Sequence, residues 1–157
     1  MTMVAKKSPA LSRVNLHHLM TPEHSNGFGN VHGGVIMRLV DECGALSAMR
    51  HARRPVVTIA IDSMTFREPV RVGALLMCEA RVSYVGRTSI ETAVRVHAEN
   101  PITGQTTHTN SAFVVYVALG EDGRPTAVPE LELETDEERK LFADGIERQR
   151  HRLAHAS

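Results

Sequence analysis

Between His32 and about Met49, apolar residues recur at helical spacing. Val35, Ile36, Leu39, Val40, Cys43 and Leu46 stand three or four apart and make one stripe. The spacing predicts a long helix that Arg53, Arg54 and Pro55 bring to an end. Beyond it the period falls to two. Residues 56–66, VVTIAIDSMTF, open as a continuous apolar run, which predicts a strand covered on both faces. In 75–85, Leu76, Cys78, Ala80, Val82 and Tyr84 alternate with Glu79, Arg81 and Ser83. In 90–98, Ile90, Thr92, Val94, Val96 and Ala98 alternate with Glu91, Arg95 and His97. Both patterns belong to half-buried antiparallel strands. The segment ENPITG at 99–104 is turn chemistry for a hairpin between such runs. A last strand, SAFVVYVAL at 111–119, is apolar on both faces and stops at the turn-forming GEDG.

Ahead of the long helix, Leu11, Val14, Leu16 and Leu19 predict a first strand over 11–20, followed by the loop TPEHSNGFGN. At the other end, Thr135 and Glu138 have capping-box spacing. Acids lead this segment and Arg148, Arg150 and Arg152 close it, as a helix dipole favours, so 135–154 reads as a surface helix. The order is strand, long helix, four strands, helix. That order indicates an α+β fold, a helix laid on one face of an antiparallel sheet. No internal repeat or low-complexity tract interrupts it.

Composition narrows the partners. With 157 residues, one domain is expected and two full-size domains are excluded. Eighteen Lys and Arg balance 18 Asp and Glu, so there is no broad positive field for phosphate backbones. Aromatic residues make up 4% and Trp is absent, which removes the stacking platforms of single-strand nucleic-acid binders. At 42% hydrophobic and 23% charged, the composition is that of an ordinary globule. No apolar run nears the roughly 18 residues needed to span a bilayer. MTMVAKKSPA has no hydrophobic stretch after its lysines, so no secretory signal is expected. Cys43 and Cys78 lack C-x-x-C spacing and read as a reduced, buried pair of small residues in a cytoplasmic protein. The nine histidines show no metal-binding spacing except His151 and His155 in the tail, and no metal is expected.

Chemistry concentrates between Asn26 and Asp41. Gly33 and Gly34 open the long helix, where the first N–H groups lack partners. Glycine there costs about 1 kcal/mol each against alanine. Either the loop needs unusual dihedrals or close packing, or bare N–H groups polarise a carbonyl or hold an anion. Asp41 follows Gly34 by about 700° of helical rotation, hence on the same side, and by about 10 Å of rise. An aspartate there is either solvated, paired with an arginine, or a nucleophile or general base. Small residues on that side, Ala45 and Ala48, suggest close approach of another backbone.

The run N-G-x-G-N-V-H-G-G-x-I-M-x-x-x-D from Asn26 to Asp41, with S-M-T-F at 63–66 and G-R-T-S at 86–89, resembles acyl-CoA thioesterases of the hotdog fold. It is most similar to the cytosolic acyl-CoA hydrolase group, over about residues 13–120, with Pro125 to Pro129 still in keeping. The resemblance implies a central helix wrapped by an antiparallel sheet. It places a hotdog domain at 11–129 and a C-terminal helical extension at 130–157. It also implies a homodimer joined edge to edge, assembled into a hexamer as a trimer of dimers. Active sites would lie at the dimer interface, with Asn26 and Asp41 from opposite subunits as catalytic residues. The substrate would be a fatty acyl-CoA, split to free acid and CoA, with coenzyme A entering only as part of the substrate and no separate cofactor.

On this reading the Gly34 N–H is an oxyanion donor and Asn26 holds the carbonyl or the water. Asp41 attacks the carbonyl carbon or activates a water, and both routes stay open. His32, beside the double glycine, lines the site, serves as a structural hydrogen-bonder, or acts as base. Gly33 lines the site with it. Among Arg53, Arg54, Arg67, Arg71 and Arg87, the last is the expected phosphate contact, with Thr88 and Ser89 in the same motif. Backbone at Ser63 and Met64 would run beside the pantetheine arm. A hotdog hydratase is excluded, since it would carry a histidine five residues after Asp41, where Leu46 stands. A non-catalytic acyl-CoA-binding or sensing protein is the alternative, and it has no need of Asp41.

Overall fold

The helical stripe and the alternating strands meet in the computed structural model of the chain, which describes residues 5–156. Residues 1–4, the head of the N-terminal stretch read for a signal, and Ser157 of the C-terminal extension lie outside the described residues. The elements are β1 (Val14–Leu19), α1 (Gly33–Ala52), β2 (Val56–Asp62), β3 (Leu75–Val85), β4 (Ser89–Glu99), β5 (Thr106–Ala118) and α2 (Asp136–Ala154). Short 3-10 turns at Pro9–Ser12 and Pro22–His24 flank β1. The strands lie in the order β1-β3-β4-β5-β2, and every pairing is antiparallel. This is the α+β arrangement expected.

The core lies between α1 and one face of the sheet. Ile36, Leu39, Val40, Cys43 and Ala48 of α1 are buried against Leu76, Cys78 and Ala80 of β3, Val94 and Val96 of β4, and Val114 and Tyr116 of β5. Tyr116 is the largest fully buried side chain among the described residues. It fits because α1 has Gly44 opposite it. A Cβ at Gly44 would stand 2.5 Å from the Tyr116 hydroxyl and 2.7 Å from Thr92 Oγ1. At the far end of α1, Arg53 takes a left-handed conformation and its N–H closes on the Met49 carbonyl, which ends the helix. His51, buried in that last turn, donates from Nε2 to the Pro129 carbonyl at 2.7 Å.

The other face of the sheet receives α2. Thr135 and Glu138 form the capping box that their spacing predicts. Glu91 of β4, only 1% exposed, accepts two hydrogen bonds from Arg148, at 3.0 and 2.7 Å, and one from Ser83 at 2.7 Å. The Arg148 guanidinium also lies 3.6 Å over the Phe113 ring. Arg152 reaches both Glu91 and Asp62 at the end of β2. The helix is therefore docked through buried charge, which a surface-helix reading does not capture.

Four sequence expectations need correction. Leu11 belongs to the first 3-10 turn and is 66% exposed, so β1 starts later, at Val14. Leu46 lies outside the buried part of the helical stripe. The strand read at 56–66 stops at Asp62, where Ser63 turns to φ 51°. It is also not covered on both faces. β2 is a sheet edge in the single chain, and Val57 and Ile59 are 42% and 60% exposed. Finally, β5 begins at Thr106, because the Asn100–Gln105 turn lets the two strands pair almost from the bend.

Two measurements check this packing. Removing one partner of a buried ion pair costs about 3 kcal/mol or more, so Arg148→Ala should lower the thermal midpoint by several degrees. Arg150→Ala, whose partner Glu147 is exposed, should stay near wild type. Burial pushes the Cys43 thiol up to about 12, with Cys78 nearby adding to it, and burial pushes Cys78 up to about 11. The thiolate is the reactive form. Mass spectrometry should accordingly find both unmodified after iodoacetamide treatment of folded protein, and both alkylated in denaturant.

Candidate active site

The loop before α1 is closed on itself. Asn26 N–H donates to the Asn30 carbonyl at 2.9 Å, and Gly27 and Gly29 take positive φ at the two bends between them. Asn26 is exposed, and its Oδ1 accepts from the Phe28 N–H at 2.9 Å. Among the described residues its side-chain nitrogen makes no hydrogen bond. Phe28 at the loop tip is 88% exposed.

His32 is the N-cap of α1. Its Nδ1 accepts from the Gly34 N–H at 3.0 Å, so the neutral ring carries its proton on Nε2. Of the three roles open to it, the free chain displays the structural hydrogen bond. The same bond occupies the Gly34 N–H. From the other side, the Phe66 ring lies against Gly33, where a Cβ would meet its Cζ at 3.6 Å. A cavity of about 510 Å³ opens at this helix end, lined by Glu23, His24, His32, Gly34, Val35 and Arg38.

Two turns along, Asp41 is half-buried and has no arginine partner among the described residues. Arg38 is instead 3.9 Å from Glu42. Asp41 Oδ1 accepts from Thr58 Oγ1 at 2.9 Å and from the Tyr116 hydroxyl at 3.1 Å. Tyr116 also donates to the Asp41 carbonyl at 2.9 Å. Thr58 and Tyr116 face each other across the β2–β5 ladder, which is why both reach the same oxygen. Burial pushes the Tyr116 phenol far up, and the Asp41 charge and hydrogen bond push it further. It stays a donor throughout the working range of pH. Asp41 Oδ2 has no hydrogen bond among the described residues. One carboxylate oxygen is fixed and the other is free to do chemistry.

The remaining candidates lie in two places. Ser63 and Met64 follow β2 directly, Ser63 exposed with its positive φ and Met64 packed partly against the core. They join the strand that carries Thr58 to the Phe66 ring over Gly33. Arg87, Thr88 and Ser89 form the β3–β4 turn, closed by Gly86 N–H to the Ser89 carbonyl at 3.0 Å. Arg87 is exposed and lines a separate cleft of about 1020 Å³ with Lys6, Val128, Leu133 and Phe142. That cleft shares no residue with the cavity at Gly34. The chain thus gathers His32, Gly33 and Gly34, holds Asp41 farther along the same helix, and keeps the G-R-T-S turn apart.

Thr58 and Tyr116 were not legible as site residues. Thr58 sits inside an apolar run, and its polarity at that point was the available signal. Among the described residues no cluster of three or more His, Cys, Asp or Glu is placed to hold a metal.

Residues 28–105 match the family described as Thioesterase superfamily. A crystal structure of an apo-hexameric acyl-CoA thioesterase is 38% identical, covers 98% of this chain and 99% of that one, and superposes with a TM-score of 0.93. The acyl-CoA hydrolase of Staphylococcus aureus, solved with butyryl coenzyme A, coenzyme A and coenzyme A disulfide, is 30% identical over 95% and 91%, with a TM-score of 0.87. That protein has also been solved with an asparagine, an aspartate or a threonine replaced by alanine. The rat cytosolic acyl coenzyme A thioester hydrolase is 35% identical over 136 residues, 85% of this chain and 36% of its own length. The chain therefore spans little more than a third of that mammalian relative.

Proposed function

This chain belongs to the thioesterase superfamily, with the hotdog fold of acyl-CoA thioesterases, and we propose that it hydrolyses fatty acyl-CoA to the free acid and coenzyme A. The observation that carries the reading is the Asp41 carboxylate, held at Oδ1 by Thr58 and Tyr116 with Oδ2 unengaged. A binding or sensing protein has no use for that arrangement. The thioester carbonyl docks at the N-terminus of α1, where the helix dipole and the Gly34 N–H favour developing negative charge. For that donor to serve, the substrate oxygen takes the place of His32 Nδ1. The free amide nitrogen of Asn26 is a second donor, to the carbonyl or to the attacking water.

In the general-base route, Asp41 Oδ2 takes a proton as water oxygen bonds the carbonyl carbon. The tetrahedral intermediate then expels CoA thiolate as the C–S bond breaks. In the nucleophilic route Oδ2 itself bonds that carbon, and water cleaves the resulting anhydride. The three alanine positions in the S. aureus hydrolase support this set of residues. They are separated by the same 15 and 17 positions as Asn26, Asp41 and Thr58 here. Arg87, with Thr88 and Ser89, would meet CoA phosphates, while Ser63, Met64 and Gly33 flank the pantetheine arm.

The working unit is a homodimer, assembled as a trimer of dimers, with Asn26 and Asp41 of each site from different copies. The unpaired edge of β2 and exposed Val57, Ile59 and Phe28 support a second copy on this side. Residues 11–129 form the catalytic domain, with 130–157 as its extension. Its place of action is the cytoplasm. The rat relative is named cytosolic, and no helix among the described residues is long and apolar enough to cross a membrane.

Purified protein should release free thiol from at least one member of a short-to-long acyl-CoA panel, followed with a thiol reagent. Asp41→Asn should lower kcat by about a hundredfold or more while remaining folded. Wild-type protein inert across the panel would overturn the hydrolase reading. For assembly, Ile59→Glu should shift the mass from light scattering toward the monomer, with activity falling in step. An active monomer would remove the shared-site arrangement.

A further inference from the structure

We propose that Tyr116 is a positioning residue for Asp41, a phenol reaching from the sheet through the gap at Gly44 to fix the plane and direction in which the carboxylate faces the substrate. The inference rests on the reading of Asp41 as the reacting carboxylate. Its basis is geometric. The Tyr116 hydroxyl is 3.1 Å from Asp41 Oδ1 and 2.9 Å from the Asp41 carbonyl. It therefore ties the side chain to its own stretch of helix. Thr58 approaches the same Oδ1 from β2, at 2.9 Å. With two donors from two strands on one oxygen, any rotation about χ2 that tilts the carboxylate out of this plane breaks both bonds.

The helix is built around this contact. A glycine inside a helix costs about 1 kcal/mol against alanine, yet any Cβ at Gly44 would stand 2.5 Å from the phenol oxygen. Thr92 of β4 faces the same gap, its hydroxyl buried and without a hydrogen-bond partner among the described residues. A phenylalanine at 116 would fill the same core volume, so the hydroxyl is the part that packing alone does not require.

Among the described residues, the other charged or titratable groups near Asp41 come from its own helix. Arg38 and Glu42 are exposed and face each other, and the Cys43 thiol stays protonated because burial pushes it up to about 12. β2 and β4 present the uncharged Thr58 and Thr92, and β5 presents Tyr116 itself. The phenol is thus one of two uncharged donors that orient the carboxylate, and its loss leaves Thr58 alone to hold Oδ1.

The test is Tyr116→Phe, assayed for kcat and KM beside wild type. Misplacing a reacting group by about an ångström costs on the order of a hundredfold. We expect kcat lower by about 10- to 100-fold with KM within about twofold. Tyr84→Phe, removing the chain's other tyrosine hydroxyl on the α2 face, should leave both unchanged. Should Tyr116→Phe fail to fold, 3-fluorotyrosine incorporated in the Tyr84→Phe background keeps the ring and strengthens the donor. Its kcat then departs from that of the Tyr84→Phe parent while KM holds within about twofold. An unchanged kcat in the folded variant, or in the fluorinated protein, overturns the positioning role. Loss confined to KM or to the melting temperature does so too. Inactive wild-type protein overturns the hydrolase reading instead, so the two failures are separable.

Discussion

The close seating of α1 on the sheet governs what this molecule can do. A helix packed through large side chains would hold its axis too far away for polar groups of the strands to reach its backbone. Here the large residues Ile36, Leu39 and Val40 give way beyond Asp41 to Cys43, Gly44 and Ala48, buried with Cys78, Ala80 and Val94. At Gly44 the distance closes until a single methyl group would collide with Tyr116 and Thr92. The gain is a helix whose half-buried Asp41 is gripped by β2 and β5. A core poor in aromatic rings is thus a condition for the site as well as a feature of composition.

The second constraint acts on the opposite face. Glu91 is buried with its charge, which is tolerable only because Arg148, Arg152 and Ser83 meet its oxygens. Arg152 then bridges Glu91 to Asp62, the last residue of β2. Immediately beyond lie Ser63, with its left-handed backbone, and the segment that brings Phe66 over Gly33. Four residues earlier on the same strand, Thr58 holds Asp41. One edge strand therefore carries contacts to both parts of the candidate site, and α2 anchors its end.

Much of this was legible beforehand, for physical reasons that differ by element. The α1 stripe, the alternation in β3 and β4, and the capping box of α2 are local patterns, and each element formed where its period or cap placed it. Asp41 and the double glycine stood out because both are poor choices for a helix. Thr58 and Tyr116 did not, since their roles arise from pairing of β2 with β5, a contact between residues 58 positions apart. Glu91 read as the polar half of an alternation, and only the docked α2 turns it into a buried ion pair. β2 misled for a related reason. Its apolar run suits a covered strand, yet the described residues leave Val57 and Ile59 42% and 60% exposed.

That mismatch bears on how the proposed site is completed. Gly34 and Asp41 lie on one side of the same helix but about 10 Å apart along it. Reacting atoms must come to about 3–3.5 Å, so one chain's Asp41 is too distant for a carbonyl held at its own Gly34. A second copy resolves the conflict if the two β2 edges meet and the helices run antiparallel. In that proposed pairing each Asp41 would come beside the partner copy's helix N-terminus, and the exposed Val57 and Ile59 would gain the cover their sequence anticipates. The free Oδ2, the capped but exposed Gly34 N–H and the unengaged Asn26 amide are all groups in want of such a neighbour. The features that look unfinished in the single chain are those the proposed pairing would use.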